Sequence, residues 1–212
     1  MNADGSNVGA VVDSPRDEIE LAWFPDQSKI AYTELKKTGI FKRYTLWMID
    51  PVSKKKEKII PGFPGSTALP NFSSRAPLMG FTGGRRIGWD VFVCNLDNKE
   101  FSGLVEGGKS CRPHFSPNGD KIAYVSSRAD GKGDIWLMNP DGSGQTRLTE
   151  RDQTYDYYPA WSPDGKYEVF SSNAKGHYAH EGDWQLYLVE VATKKVIRLL
   201  DTPGRDVFPD WR

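Results

Sequence analysis

The chain has 212 residues, enough for one domain with a buried core, and its 28 Lys and Arg are matched by 28 Asp and Glu. That balance argues against a basic nucleic-acid surface and against an acidic solvating tail. The 21 Gly, 14 Pro, 7 Trp, 9 Tyr and 10 Phe point to many turns around an aromatic core and exclude a disordered chain. No apolar run approaches the roughly 18 residues of a membrane span. Met1–Ser6 has neither the basic nor the apolar region of a signal peptide. Cys94 and Cys111 are too few for a disulfide framework or a four-thiolate metal site.

An internal repeat orders the elements. Trp161-Ser162-Pro163-Asp164-Gly165 answers Phe115-Ser116-Pro117-Asn118-Gly119, with a weaker copy at Trp23-Phe24-Pro25-Asp26-Gln27. The leading aromatics Trp23, Phe72, Phe115, Trp161 and Trp211 lie 43–50 residues apart, near the period of propeller blades. In chain order, residues 1–15 read as the last part of a blade, because Met1-Asn2-Ala3-Asp4-Gly5-Ser6 matches Met138-Asn139-Pro140-Asp141-Gly142-Ser143. Residues 16–65, 66–108, 109–154 and 155–204 read as four successive blades, and 205–212 as the first strand of a further one.

Within a blade the leading aromatic closes the first strand and a Pro-Asp-Gly type of turn follows. The second strand carries Tyr32, Phe81, Tyr124 or Phe170. The third strands are Leu46-Trp47-Met48-Ile49, Val91-Phe92-Val93-Cys94, Ile135-Trp136-Leu137-Met138 and Leu186-Tyr187-Leu188-Val189, and the fourth carry Ile59, Leu104, Leu148 and Leu199. No helix-period stretch competes. The expected fold is all-β: one domain, a β-propeller of four-stranded antiparallel blades, four blade-length units with partial blades at both ends. A blade lacking its middle strands leaves an open edge, so the expectation is a fragment of a six- to eight-bladed ring.

Tyr158-Pro159-Ala160-Trp161-Ser162-Pro163-Asp164-Gly165, Ile122-Ala123-Tyr124-Val125-Ser126-Ser127-Arg128, Asp134-Ile135-Trp136-Leu137-Met138-Asn139-Pro140-Asp141-Gly142 and Arg147-Leu148-Thr149 together resemble the TolB-type propeller repeat. The resemblance runs from Met1 to Trp211. It implies a ring that docks a protein, as in periplasmic TolB, and an exported, periplasmic setting. Similar repeats cap prolyl-oligopeptidase-type serine peptidases. Ser74-Arg75-Ala76 departs from the expected Pro-Asp-Gly, and no stretch matches TolB's N-terminal α/β domain.

No Gly-x-Ser-x-Gly elbow is present, so no serine-peptidase machinery is expected in this sequence. His177, His180 and Asp183 are of metal-ligand type but sit in a long loop, where solvated polar residues are the ordinary occupants. A resemblance to oligogalacturonate lyases, which use His-bound metal, rests on His114 alone. No cofactor and no metal site is assigned. Gly80–Arg86 reads as strand end and loop, Lys54–Lys58 as a solvated edge, and Cys94 as a small buried hydrophobe. Thr45, Asp90, Asp134 and Gln185 read as polar strand-entry residues that bond nearby backbone. Glu168 stands at the inward register of Ile30, Met79 and Ile122. A local bulge that turns it outward is expected, with a buried partner as the alternative.

In a propeller the first strands line the central channel. The places five, three and one before each leading aromatic vary in type, while Leu21, Pro70, Pro113, Pro159 and Pro209 between them stay uniform. That is the expected split between a free and a packed face. The free face is expected to carry Glu18, Glu20, Asp156, Asp206 and Asp210, with Arg112 and His114 as a basic spot and Tyr158 as an aromatic anchor. A protein or peptide at the channel mouth, or a cation in the channel, suits such a face; nucleic acid does not. Two enzyme readings compete with a non-catalytic scaffold: a gating propeller of a larger serine peptidase, and a metal-dependent propeller lyase.

Overall fold

The computed structural model describes residues 4–84, 88–151, 153–176, 182–200 and 204–211. Among them the chain forms four antiparallel sheets of four strands in sequence order and no helix, so no helix is long and apolar enough to cross a membrane. The first sheet holds β1 (Asp17–Trp23), β2 (Ile30–Thr38), β3 (Phe41–Ile49) and β4 (Lys56–Lys58). The second holds β5 (Ser66–Phe72), β6 (Leu78–Gly84), β7 (Trp89–Asn95) and β8 (Phe101–Val105). The third holds β9 (Ser110–Phe115), β10 (Ile122–Ser126), β11 (Asp134–Met138) and β12 (Thr146–Arg147). The fourth holds β13 (Tyr155–Trp161), β14 (Tyr167–Asn173), β15 (Gln185–Glu190) and β16 (Val196–Arg198). Residues 4–15 and 204–211, expected to add strands to flanking blades, hold bends and irregular chain.

The first turns of the third and fourth blades are fixed by their own residues, whereas Ser74 in the second blade donates to the Pro117 carbonyl of the third. Ser162 accepts from the Gly165 N–H on its carbonyl and from the Tyr167 N–H on its hydroxyl, both at 2.9 Å, and Ser116 does the same for Gly119 and Lys121. Gly165 and Gly119 take φ of 70° and 73°, and Gln27 holds the same place in the first blade at 57°. A Cβ on Gly165 would meet nothing nearer than Pro117 Cδ at 3.8 Å. Gly165→Ala therefore isolates the backbone cost, and denaturant unfolding should show a loss of about 1 kcal/mol, while Gln27→Gly gains a similar or smaller amount.

The core lies in the seams between sheets. Ala31, Leu46, Met48 and Ile59 of the first sheet meet Met79, Phe81, Phe92 and Cys94 of the second. Val91 and Val105 meet Phe115, Ile122, Tyr124 and Met138 in the next seam, and Ala123, Val125, Ile135 and Leu148 meet Trp161, Phe170 and Val189 in the last. Tyr32, Phe81, Tyr124 and Phe170 are all fully buried, each worth roughly 1.5–3 kcal/mol. Each leading aromatic leans on the preceding sheet: Phe72 lies 4.4 Å from Phe24, and Trp161 Nε1 donates to the His114 carbonyl at 3.0 Å. Trp23, with no preceding sheet among the described residues, is 53% exposed. Lys56 and Lys58 on the outer strand lie over the Trp47 ring, and burial pushes the Cys94 thiol up.

The bulge expected at Glu168 is not there. Strand β14 pairs without a break, Glu168 standing opposite Trp161 on one side and Val189 on the other, both members of the last seam. Glu168 is fully buried, and neither carboxyl oxygen has a hydrogen-bond partner among the described residues. Burial alone pushes its carboxyl well above the usual range.

Candidate binding channel

Every inner strand carries the same irregularity. Glu20-Leu21 stands opposite Tyr32 alone, Leu69-Pro70 opposite Phe81, Arg112-Pro113 opposite Tyr124, and Tyr158-Pro159 opposite Phe170. The first residue of each pair is left-handed, with φ of 59°, 57°, 58° and 60°, and Phe208 repeats this at 58°. Two residues facing one make a β-bulge. Proline is tolerated at the second place because the interrupted ladder has no use for its missing N–H. The left-handed residue's own N–H crosses to the preceding sheet: Leu69 donates to Glu20 Oε2 at 3.2 Å and Thr33 Oγ1 at 3.3 Å, and Arg112 to Thr82 Oγ1 at 2.9 Å.

The inserted residue reverses side-chain parity along the strand. Residues five places before the leading aromatic therefore leave the channel and enter the seams. Thr67 Oγ1 accepts from the Leu46 N–H of the preceding sheet at 2.9 Å, and Ser110 bonds Ser126. Asp156 corrects the expectation most sharply. It is fully buried, accepts from Ser172 Oγ at 2.5 Å and Thr154 Oγ1 at 3.2 Å, and lies 3.6 Å from Arg151 Nη1. Its N–H donates to the Gly133 carbonyl of the third sheet. Burial pushes its carboxyl up in spite of the Ser172 hydroxyl and the Arg151 guanidinium. Glu18 is half-buried and accepts from the Ser14 hydroxyl, and Asp206 is half-buried with its N–H on the Trp184 carbonyl.

The other five expected residues meet in one open cavity of about 800 Å³: Glu20, Arg112, His114, Tyr158 and Asp210. The prolines read as a packed face line it too, since a bulge brings consecutive residues to one side. Leu69 and Phe208 complete one level of the ring, and Ala22, Asn71 and Ala160 the next; only their register could have marked them. Arg112 Cζ sits 4.3 Å from the Tyr158 ring centre, and Tyr158 stacks edge-on to Phe208 at 4.4 Å. Burial pushes the Tyr158 phenol up, while Arg112 opposes it. His114 Nδ1 lies 3.0 Å from the Pro159 carbonyl, which only accepts, so this nitrogen carries the proton. Burial lowers the His114 pKa, against the Pro159 bond and the Asp210 charge.

The strand-entry acids are structural. Asp90 accepts from the Gly108 N–H at 2.6 Å, and Asp134, pushed up to about 6 by burial, takes Arg147 Nη2 at 2.9 Å. His177 and His180 lie outside the described residues, and Asp183 pairs with Lys175. Among the described residues no group of three or more His, Cys, Asp or Glu is placed to share a metal ion.

The family model of the TolB beta propeller domain matches residues 1–180. The chain belongs to the TolB β-propeller family. Relatives of this TolB-type propeller include dipeptidyl-peptidase 5 of Porphyromonas endodontalis, 27% identical over a gapped alignment of 230 positions that covers 84% of this chain and 33% of that protein. A TolB homolog of Chlorobium luteolum is 34% identical over 126 residues, 59% of this chain and 26% of that protein. The chain thus spans about a third or less of the length of these curated relatives. TolB from Acinetobacter baumannii superposes with a TM-score of 0.71 at 20% identity, covering 97% of this chain and 49% of that one. An oligogalacturonate lyase in complex with manganese gives 0.64 at 17% identity, covering 92% and 56%. At these identities the structures show a shared propeller fold.

Proposed function

We propose that this TolB-type propeller binds a protein or peptide segment in the channel formed by its inner strands. The observation that carries the reading is a ring of left-handed residues, Glu20, Leu69, Arg112 and Tyr158 at the bulges of the four inner strands and Phe208 in the irregular chain beyond them, which all line one open cavity. An arginine beside two aromatics is the composition of a binding anchor. An exported, periplasmic setting belongs to the same reading. The test is a photo-crosslinking residue placed at Phe208, which is 61% exposed, with Phe41 at 74% as the outer-surface control. A partner should be captured from Phe208 and not from Phe41, and lost in Tyr158→Ala. Identical adducts from both positions, or none from Phe208, would count against a channel site.

The likeness to dipeptidyl-peptidase 5 over 84% of the chain favours a second reading, a gating propeller whose channel meters peptides to a hydrolase domain. Flanking coding sequence separates the two. A downstream Gly-x-Ser-x-Gly supports the peptidase, and an upstream signal peptide with an α/β domain supports TolB.

A further inference from the structure

We propose that the channel takes its ligand by a carboxylate, held on Arg112 against Tyr158. The proposal rests on the channel being a peptide site and names the group that enters it. Elsewhere in the protein the partly buried arginines meet acids, Arg147 pairing with Asp130 and Asp134 and Arg151 with Asp156, and the exposed Arg16 pairs with Glu34. Arg112 pairs with none among the described residues. Its Nε is buried without a hydrogen-bond partner, and it is the only such orphaned side-chain atom found there on a channel residue.

The acid on the same level of the ring does not answer it. Glu20 Oε2 accepts from the Thr33 hydroxyl at 3.0 Å and from the Leu69 N–H, which ties that carboxylate to the notch between the first two sheets. His114 holds its Nδ1 on the Pro159 carbonyl. Arg112 therefore presents a cation seated 4.3 Å from the Tyr158 ring centre, and a guanidinium fork suits two-point bonding to a carboxylate. The Tyr158–Phe208 pair alongside forms an apolar wall, matched by a peptide whose free C-terminus follows an apolar side chain. A small organic acid carries the same chemistry.

The test is isothermal titration of the 212-residue protein with three probes: N-acetyl-Gly-Ser-Gly-Ala-Leu as free acid, the same peptide as C-terminal amide, and 4-methylpentanoate. The free acid should bind about tenfold more tightly than the amide, or about 1.4 kcal/mol. Arg112→Gln should abolish that difference, and Arg112→Lys, which keeps the charge without the fork, should retain part of it. Binding of 4-methylpentanoate as tight as the peptide would assign the site to a small acid. Equal affinity for acid and amide, or a difference that survives Arg112→Gln, overturns the carboxylate and leaves a peptide channel standing. No binding by any probe at millimolar concentration overturns it as well; whether the Phe208 crosslink persists then decides the fate of the channel reading itself. The acid-to-amide comparison on the unaltered chain decides even where an Arg112 variant fails to fold.

Discussion

Replacing Glu168 with Met should raise stability by about 2 kcal/mol at neutral pH, the cost of burying a polar group that nothing satisfies. Met79 already fills the same register in the second blade and Ile122 in the third, both fully buried. Methionine matches the length of glutamate, so the third-to-fourth seam keeps its volume. The gain should depend on pH. Burial raises the folded-state pKa of Glu168 above its unfolded value. Its contribution is therefore most favourable below the unfolded pKa and is lost as pH rises toward the folded one. Urea unfolding at about pH 4 and about pH 8 should show the gap between Glu168→Met and the original chain widening with pH. Glu168→Gln removes the titration but leaves an unpaired amide, so it should flatten the pH dependence with little gain. A Met variant less stable than the original chain would mean that the carboxylate has a partner.

Asp156→Ala should cost about 3 kcal/mol, because it removes one member of a buried network and strands the others. The Ser172 and Thr154 hydroxyls and the Arg151 guanidinium all converge on one carboxylate oxygen. Asp156→Asn retains an acceptor for Ser172 and should cost less. Asp17→Ala, which breaks an exposed pair with Lys37, should stay within about 1 kcal/mol of the original. Thermal or denaturant unfolding of the three variants orders them, and ligand binding by the folded Asp156 variants should match that of the original chain. A channel role would instead lower binding with stability intact.

These two acids mark where the sequence stops being sufficient. Period, turns and aromatic rungs are local: Ser162-Pro163-Asp164-Gly165 builds its turn from its own hydroxyl, carbonyl and left-handed glycine, so the blades can be read without knowing their neighbours. The inward register of Glu168 is legible in the same way, but the lack of any partner across the seam is not. The channel face fails for a more specific reason. A bulge exchanges the two faces midway along the strand, so simple alternation puts Asp156 in the channel while the strand itself carries it into the seam. The signal for this is Pro70, Pro113 and Pro159, since a proline inside an inner strand itself marks a bulge.

The bulges also decide how such a channel can change. A left-handed residue that hangs off the ladder takes little part in its own sheet's pairing, so side chains without β-branching can be exchanged at Leu69, Arg112 and Tyr158 with little effect on the frame, whereas the Glu20 carboxylate also bonds Thr33 and the Leu69 N–H. A bulky β-branched residue at positive φ is strongly disfavoured. The five residues found, Glu20, Leu69, Arg112, Tyr158 and Phe208, include no Val, Ile or Thr. The alphabet of the channel is thus restricted by backbone sterics and otherwise open. A new ligand preference could be written by exchanging the codons of Leu69, Arg112 and Tyr158 between relatives, with the other strands of the scaffold left as they are.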